Sequence, residues 1–147
     1  SSMNGQPGQF CPDIQLEVSE ESGCTMHVQL QHVAIARPPG SDAAARAFYD
    51  ELLGLTEIAP PPSLQTLGVL WYQIGASSEL HIFVEEPLGQ DRSGRHFCLA
   101  VEDVEALRLH LIESGISVVG DVPIPDRPRY FVRDPFGNLI ELTTVKS

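Results

Sequence analysis

The chain repeats one short pattern, and each copy opens on a histidine at the start of a predicted strand. In the first copy His32 comes before a helical segment that ends at Gly54, and in the second copy His96 comes before one that ends at Gly115. Glycine commonly ends helices because it adopts a positive φ without a steric clash. This duplication predicts two related modules of the same fold, joined in tandem.

Superposing the two copies gives two pairs of equivalent positions that can bind a metal. His32 falls on His96, and His81 falls on Glu141. The spacing supports this alignment, because the later position follows its helix-ending glycine by 27 residues in the first copy and by 26 in the second. Three imidazoles and one carboxylate form an ordinary ligand set for a first-row divalent metal. The repeat therefore predicts a metal site.

Hydrophobic periodicity gives each copy the element order βαβββ. In the first copy strands are predicted at residues 28–36, 57–58, 69–74 and 79–85. In the second copy strands are predicted at residues 97–101, 117–119, 130–133 and 139–144. Apolar residues at helical spacing follow the first strand of each copy, with Ser41 or Asp42 as the N-cap of the first helix and Asp103 as that of the second.

The alternation of side chains along a strand separates the candidate ligands from the apolar core. His81 alternates with Leu80 and Ile82, and Glu141 alternates with apolar residues in the same way. A single histidine on a strand is more often hydrogen-bonded or exposed than a ligand. A carboxylate among leucines and an isoleucine is costly to bury, however, unless it is paired or bound to a metal. The four positions together predict a cleft lined by a curved sheet.

The length of 147 residues is enough for one domain with a sizeable core. Residues 1–26 are expected to form an N-terminal extension, in which the alternating residues 13–18 could form an added edge strand. Residues 27–147 are expected to form a single domain, which contains one module at 27–86 and a second at 94–145.

Charge and composition exclude several classes of partner. The net charge of −11 argues against nucleic acid and anionic membranes, because phosphate is bound by lysine and arginine. No apolar run approaches the roughly 18 residues that a membrane span needs, and the N-terminal segment lacks the apolar stretch of a signal peptide. Three cysteines are too few for a disulfide framework, which favours a cytoplasmic location, although a bridge between Cys11 and Cys24 stays open. A small molecule or a cationic partner is expected.

Two longer motifs carry a family resemblance. Residues 48–55 read Phe-Tyr-x-x-Leu-Leu-Gly-Leu, and residues 134–142 read Asp-Pro-Phe-Gly-Asn-x-x-Glu-Leu. With the segments at residues 30–35 and 95–104, they make the chain resemble the vicinal oxygen chelate superfamily over about residues 28 to 145. That superfamily includes glyoxalase I, extradiol dioxygenases, and fosfomycin- and bleomycin-resistance proteins.

The resemblance implies an α+β fold in which two tandem βαβββ modules form an incomplete barrel around a cleft. It places the metal ligands on the first and last strands of each module, at His32, His81, His96 and Glu141. The metal would be a divalent ion such as Fe, Mn, Ni, Co or Zn, which acts as a Lewis acid on adjacent substrate oxygens. Glu141 is the candidate catalytic residue.

The position within the superfamily stays open. Glyoxalase I normally has a glutamate where His81 stands, whereas the set without His81 is the two-histidine-one-carboxylate triad of extradiol dioxygenases. Fosfomycin-type enzymes have a serine and potassium-loop pattern near residues 128–130, which this chain lacks. The candidate substrate-binding residues are Trp71, Gln73, Phe83, Cys98, Arg129 and Phe131.

The favoured function is a metal-dependent lyase, isomerase or oxygenase that acts on a small substrate with vicinal oxygens. The alternative is a metal-free protein that sequesters a cationic drug of the bleomycin type, which the negative charge of the chain would suit. A homodimer is expected, because each module leaves sheet edges that need a partner or cover.

Overall fold

The computed structural model of the chain describes residues 26–145. All the helices and strands of the described part lie in one compact unit, Gln31–Ser147. The predicted edge strand at residues 13–18 lies outside the described residues, and the boundary after residue 26 stays a prediction.

The first module contains four strands and one helical segment. Its strands are β1 (His32–Arg37), β2 (Thr56–Ile58), β3 (Leu70–Ile74) and β4 (Ser78–Val84). The helix α1 (Asp42–Arg46) continues into a π-helical turn at Ala47–Leu52, and a 3₁₀ helix covers Pro62–Leu67. These strands form one sheet in the order β1-β4-β3-β2, in which β1 and β4 are parallel. The βαβββ order predicted for this copy is confirmed.

The second module contains β5 (His96–Val101), α2 (Val104–Glu113), β6 (Arg129–Arg133) and β7 (Leu139–Thr144). Its sheet has the order β5-β7-β6, again with its first and last strands parallel. The strand predicted at residues 117–119 does not form. Val119 makes one isolated bridge to Phe131 instead, since Gly115 and Gly120 flank the segment and give it turn-like freedom.

One face of each sheet packs against its helix and forms the core. The helical face predicted from periodicity is confirmed, with Ala45, Phe48 and Tyr49 buried. The sheets contribute a further set of buried residues: Leu70, Tyr72, Leu80, Ile82, Leu99, Tyr130, Val132, Ile140 and Leu142. Each of these strand residues is next to a candidate site residue along its strand. Because successive side chains point to opposite faces, the second face of each sheet is left for the site.

The helix caps follow the sequence only in part. Asp103 caps α2 by accepting a hydrogen bond from the Ala106 amide at 2.9 Å. Ser41 occupies the N-cap position of α1 but makes no capping bond there, because its hydroxyl donates to the Pro38 carbonyl at 2.6 Å. The same hydroxyl accepts a hydrogen bond from the buried guanidinium of Arg37.

A buried polar network joins the two modules. Tyr49 of the first module donates a hydrogen bond to Asp134 of the second at 2.5 Å. Asp134 also accepts bonds from the amides of Phe136 and Asn138 and from the Asn138 side chain. The Asn138 side chain donates in turn to the carbonyl of Ala36 at 2.9 Å. The Asp-Pro-Phe-Gly-Asn turn is therefore a structural link between the modules.

Candidate functional site

The strand register makes the two pairs of candidate ligands structurally equivalent. In the first sheet His32 is the first residue of β1, and His81 lies on β4 opposite the residue two positions further along β1, Ala34. In the second sheet His96 is the first residue of β5, and Glu141 lies on β7 opposite the residue two positions further along, Cys98. Parity puts each pair on the sheet face that the helix does not cover. The repeat alignment made from the sequence is thus reproduced by the strand pairing.

The first half-site, His32 with His81, is a stack of three rings. The centroids of the Trp71 and His81 rings are 3.8 Å apart, and the two planes differ by 4°. The centroids of the His32 and His81 rings are 4.1 Å apart, and their planes differ by 18°. Glu79 Oε1 lies 2.8 Å from His81 Nε2, and Gln31 Oε1 lies 2.6 Å from His32 Nδ1. His81 is 14% exposed, so the ring is held from several sides.

The second half-site, His96 with Glu141, is an ion-pair cluster. His96 Nε2 lies 3.0 Å from Glu141 Oε1, and Arg129 approaches the other carboxylate oxygen at 3.4 Å. The His96 ring meets the edge of the Phe131 ring with centroids 4.9 Å apart, and its Nδ1 lies 2.8 Å from the Gly94 carbonyl oxygen. Glu141 is only 9% exposed, and its carboxylate is paired with the Arg129 guanidinium and the His96 ring, as a buried carboxylate requires.

Each of the three histidines has one ring nitrogen bound to an acceptor outside the proposed ligand set, and His96 also faces the proposed ligand Glu141 through Nε2. For His32 and His96 this is Nδ1, and for His81 it is Nε2. A histidine that donates one N–H to such an acceptor presents the lone pair of the other nitrogen, which is the arrangement of metal-binding histidines. The donor set fits a divalent metal in chemistry, and the His32 ring would have to turn out of its stack on His81 for both rings to bind one ion.

The structure places the four candidate ligands as two pairs, and their convergence on one ion stays a prediction. The sequence predicted that at least three of His32, His81, His96 and Glu141 meet within reach of one ion. Within residues 26–145 of a single chain, no three histidine, cysteine or acidic side chains are arranged to hold a metal. The structure brings the four together as two pairs, one on each sheet, because each pair is formed by strand neighbours within its own module.

The predicted substrate-binding residues divide between the two half-sites. Trp71 stacks on His81, while Phe131 and Arg129 contact His96 and Glu141. Cys98 is exposed beside Glu141 on the neighbouring strand.

The other two predicted residues, Phe83 and Gln73, differ in their position relative to the ligands. Phe83 lines a cleft of about 350 Å³ between the modules, together with Ala34 and His96. Gln73 does not point its amide at the ligands, since its side-chain nitrogen donates to the Gly75 carbonyl in the turn after β3 at 3.0 Å.

A larger apolar cavity of about 660 Å³ adjoins the second half-site. Its wall includes Phe131 and Leu139 from the site face of the sheet, and Val119 and Asp121 from the segment that crosses beside β6. Arg129 donates to the Val122 carbonyl at 2.8 Å and so ties this segment to Glu141. The cavity is large enough for the body of a drug-sized molecule.

Local charges shift two ionisable groups at the site. The hydrogen bond with His81 lowers the pKa of the Glu79 carboxyl, and a contact from Gln31 acts in the same direction. Burial raises the pKa of the Cys98 thiol, and the negative charge of Glu141 raises it further. Cys98 is therefore held as a thiol at neutral pH, which does not favour a role as a nucleophile.

Glu79 was not predicted as a site residue, although the sequence contained the signal for it. It precedes His81 by two residues on the same strand, and residues two apart on a strand share a face. The direct pairing of Glu79 with His32 across β1 and β4 could not be read from one strand alone.

Comparisons with known proteins agree with this architecture. The family model described as Glyoxalase/Bleomycin resistance protein/Dioxygenase superfamily matches residues 29–142. A comparison with functionally curated proteins gave no match. No helix in the described residues is both long and apolar enough to cross a membrane.

Several solved structures are similar to the chain. A glyoxalase family protein from Bacillus anthracis is 37% identical, with a TM-score of 0.75 over 82% of this chain and 98% of that one. TnmS3, an antibiotic binding protein from Streptomyces sp. CB03234, is 27% identical, with a TM-score of 0.63 over 82% and 98%. The fosfomycin resistance protein FosX from Listeria monocytogenes shares the fold at 15% identity, with a TM-score of 0.64 over 82% and 96%.

The family model covers most of the chain, and the two open sheets with their parallel first and last strands match the fold that the sequence predicted. The chain belongs to the glyoxalase/bleomycin resistance protein/dioxygenase superfamily, also known as the vicinal oxygen chelate superfamily.

Proposed function

We propose that the protein is a metal-dependent enzyme that acts on a small substrate with vicinal oxygens, with His32, His81, His96 and Glu141 as the ligands of one divalent ion. The observation that carries the proposal is the equivalence of the two pairs, since each has a ligand at the start of the first strand and another opposite the residue two positions further along. A metal-free binding protein does not require side chains that can bind a metal at these equivalent positions.

A second copy of the chain would complete the site. Two ligands from one module are fewer than the three or four protein ligands of most catalytic metal sites. Each sheet also has open edges, at β1 and β2 in the first module and at β5 in the second. In a symmetric dimer, every contact between the two chains occurs twice. Such a dimer can therefore join the first half-site of each chain to the second half-site of the other.

The residues around the ligands have separable roles in this proposal. A bound divalent ion would polarise the substrate oxygens as a Lewis acid. Arg129 holds Glu141 Oε2 and leaves Oε1 on the side of His96. Phe131 lies between this cluster and the apolar cavity, so it would orient a substrate whose body occupies the cavity.

The second candidate is a metal-free binding protein for a cationic drug. The net charge of −11 favours it, and one similar structure is an antibiotic binding protein. The rings of Trp71 and Phe131 could stack on a flat or cationic ligand. Calorimetric titration with a bleomycin-type glycopeptide in the presence of a chelator would reveal this function, because a sequestering protein binds without metal.

Metal content gives the direct test of the proposal. Protein purified without chelators is expected to contain about one divalent first-row ion per chain, since each chain supplies one complete set of four ligands. The double variant His96→Ala/Glu141→Gln is the matched control and should lose the ion. Elemental analysis that finds no metal in the wild-type protein, even after incubation with Fe²⁺, Mn²⁺, Ni²⁺, Co²⁺ and Zn²⁺, would contradict the proposal.

The dimer has its own test. Light scattering should give the mass of two chains at micromolar concentration, and a monomer would contradict it. A mixing experiment then locates the ligands: His32→Ala/His81→Ala lacks the first half-site, and His96→Ala/Glu141→Ala lacks the second. Neither variant alone should bind metal, but random pairing after mixing should restore about one quarter of the sites. A mixture that binds no metal would show that the four ligands come from one chain.

A further inference from the structure

We infer that Glu79 is a positioning residue for His81, which binds His81 Nε2 and thereby directs His81 Nδ1 toward the metal. This inference rests on the proposed metal site and adds a residue that the sequence analysis did not predict for it. The first half-site would then consist of two histidine ligands supported by a carboxylate, whereas the second has its carboxylate as a direct ligand.

The geometry around His81 supports the assignment. The Trp71 ring stacks on the His81 ring, which limits its tilt, and Glu79 Oε1 lies 2.8 Å from its Nε2. Because Nε2 is bound to Glu79, Nδ1 is the ring nitrogen left to bind a metal. Carboxylates that hold the second nitrogen of a metal-binding histidine are common, because they select its tautomer and raise its basicity.

His81 is the main partner of the Glu79 carboxylate in the described part of the chain, and Gln31 is a second hydrogen-bond partner. Among residues 26–145 its one ion-pair contact is with His81, and no arginine lies within ion-pair distance. Glu57, on β2 of the same sheet, shows the contrasting case: it accepts two hydrogen bonds of 3.0 Å from the Arg46 guanidinium. The negative charge of Glu79 therefore acts on the His81 ring, while that of Glu57 is neutralised at the surface.

The two half-sites become similar in charge under this assignment. The second half carries the negative charge of Glu141 next to His96, and the first half carries that of Glu79 next to His81. His81 occupies the position equivalent to Glu141, and Glu79 lies two residues before it on the same strand. Glu79 therefore acts through the imidazole ring and not on the metal itself.

The test is a double-mutant cycle on Co²⁺ affinity, measured by titration of the full-length protein. Glu79→Gln keeps the size of the side chain but removes its charge, and it should lower the affinity for Co²⁺ by about tenfold, no more than the loss of His81 itself causes. Glu57→Gln is the matched control and should leave the affinity unchanged. Trp71 is the single tryptophan of the chain and stacks on His81, so its fluorescence reports Co²⁺ binding at this half-site.

The cycle separates positioning from a general structural role. If Glu79 acts through His81, then Glu79→Gln should cause no further loss of Co²⁺ affinity in a His81→Ala background. The visible spectrum of the Co²⁺-bound protein should also change in Glu79→Gln, because the His81 ligand is altered. Thermal unfolding of the metal-free variants checks that each one folds.

Three outcomes would overturn the inference. Equal Co²⁺ affinity and an unchanged spectrum in Glu79→Gln would show that His81 does not need Glu79. Additive losses in the two backgrounds would show that Glu79 acts independently of His81. A wild-type protein that binds no Co²⁺ would overturn the metal proposal as well, so the failure of one can be told from the failure of both.

Discussion

Glu141→Gln is expected to lower the affinity for divalent metal by about a hundredfold or more, a larger loss than the substitution of a supporting residue causes. Glu141 is the one carboxylate among the four proposed ligands, and glutamine replaces its charge with a neutral amide. The substitution also leaves the Arg129 guanidinium next to an uncharged group in a site where Glu141 is only 9% exposed. Titration with Co²⁺ and elemental analysis both measure the loss.

His81→Ala is the comparison variant, and its loss should be smaller, about tenfold. The remaining His32, His96 and Glu141 form a two-histidine-one-carboxylate set, which holds divalent metals in other proteins. Equal or reversed losses in the two variants would show that the ligands are ranked wrongly. Unchanged metal content in Glu141→Gln would contradict the metalloenzyme proposal.

Asp134→Ala is expected to lower the free energy of unfolding by about 3–5 kcal/mol, because it leaves buried donors without partners. Asp134 is 5% exposed and accepts hydrogen bonds from Tyr49, Phe136 and Asn138. Burial and the neighbouring charge of Asp134 raise the pKa of Tyr49 well above its ordinary value, so the hydroxyl keeps its proton and donates. The midpoint temperature of thermal unfolding should fall by about 10 °C or more.

Tyr49→Phe separates the contact between the modules from the turn that surrounds it. This variant removes one hydrogen bond but leaves the other donors to Asp134 in place, so it should cost about 1–2 kcal/mol. Chemical denaturation of both variants gives the two values. A change below about 0.5 kcal/mol for Asp134→Ala, the range of ordinary surface substitutions, would mean that the turn does not link the modules.

The sequence predicted the parts of the fold that depend on local periodicity. The alternation of Leu80, His81 and Ile82 placed the candidate ligand on the face away from the helix, and the burial of the two apolar residues confirms that core face. The repeat placed His81 and Glu141 at equivalent positions, and the strand pairing reproduces that equivalence. Both inferences needed only the spacing of residues along one chain.

Features that depend on contacts between distant segments were not predictable in the same way. Parity shows that His32 and His96 lie on the open faces of their sheets, but it does not say whether those faces meet within one chain. The segment at residues 117–119 has the composition of a strand, yet a single bridge from Val119 to Phe131 is all the pairing it makes. The link between Tyr49 and Asp134 joins residues 85 positions apart, beyond the reach of any local pattern.

The measurement that tests the central claim most directly is anomalous diffraction at the cobalt edge from crystals of the protein grown with Co²⁺. The account predicts one anomalous peak per chain at about 2.0–2.2 Å from nitrogen atoms of His32, His81 and His96 and from an oxygen of Glu141. It also predicts that the first two of these ligands come from one chain and the last two from its partner. A Co²⁺ ion bound by other residues, or crystals without an anomalous peak at Glu141, would contradict the claim that these two half-sites form one metal centre.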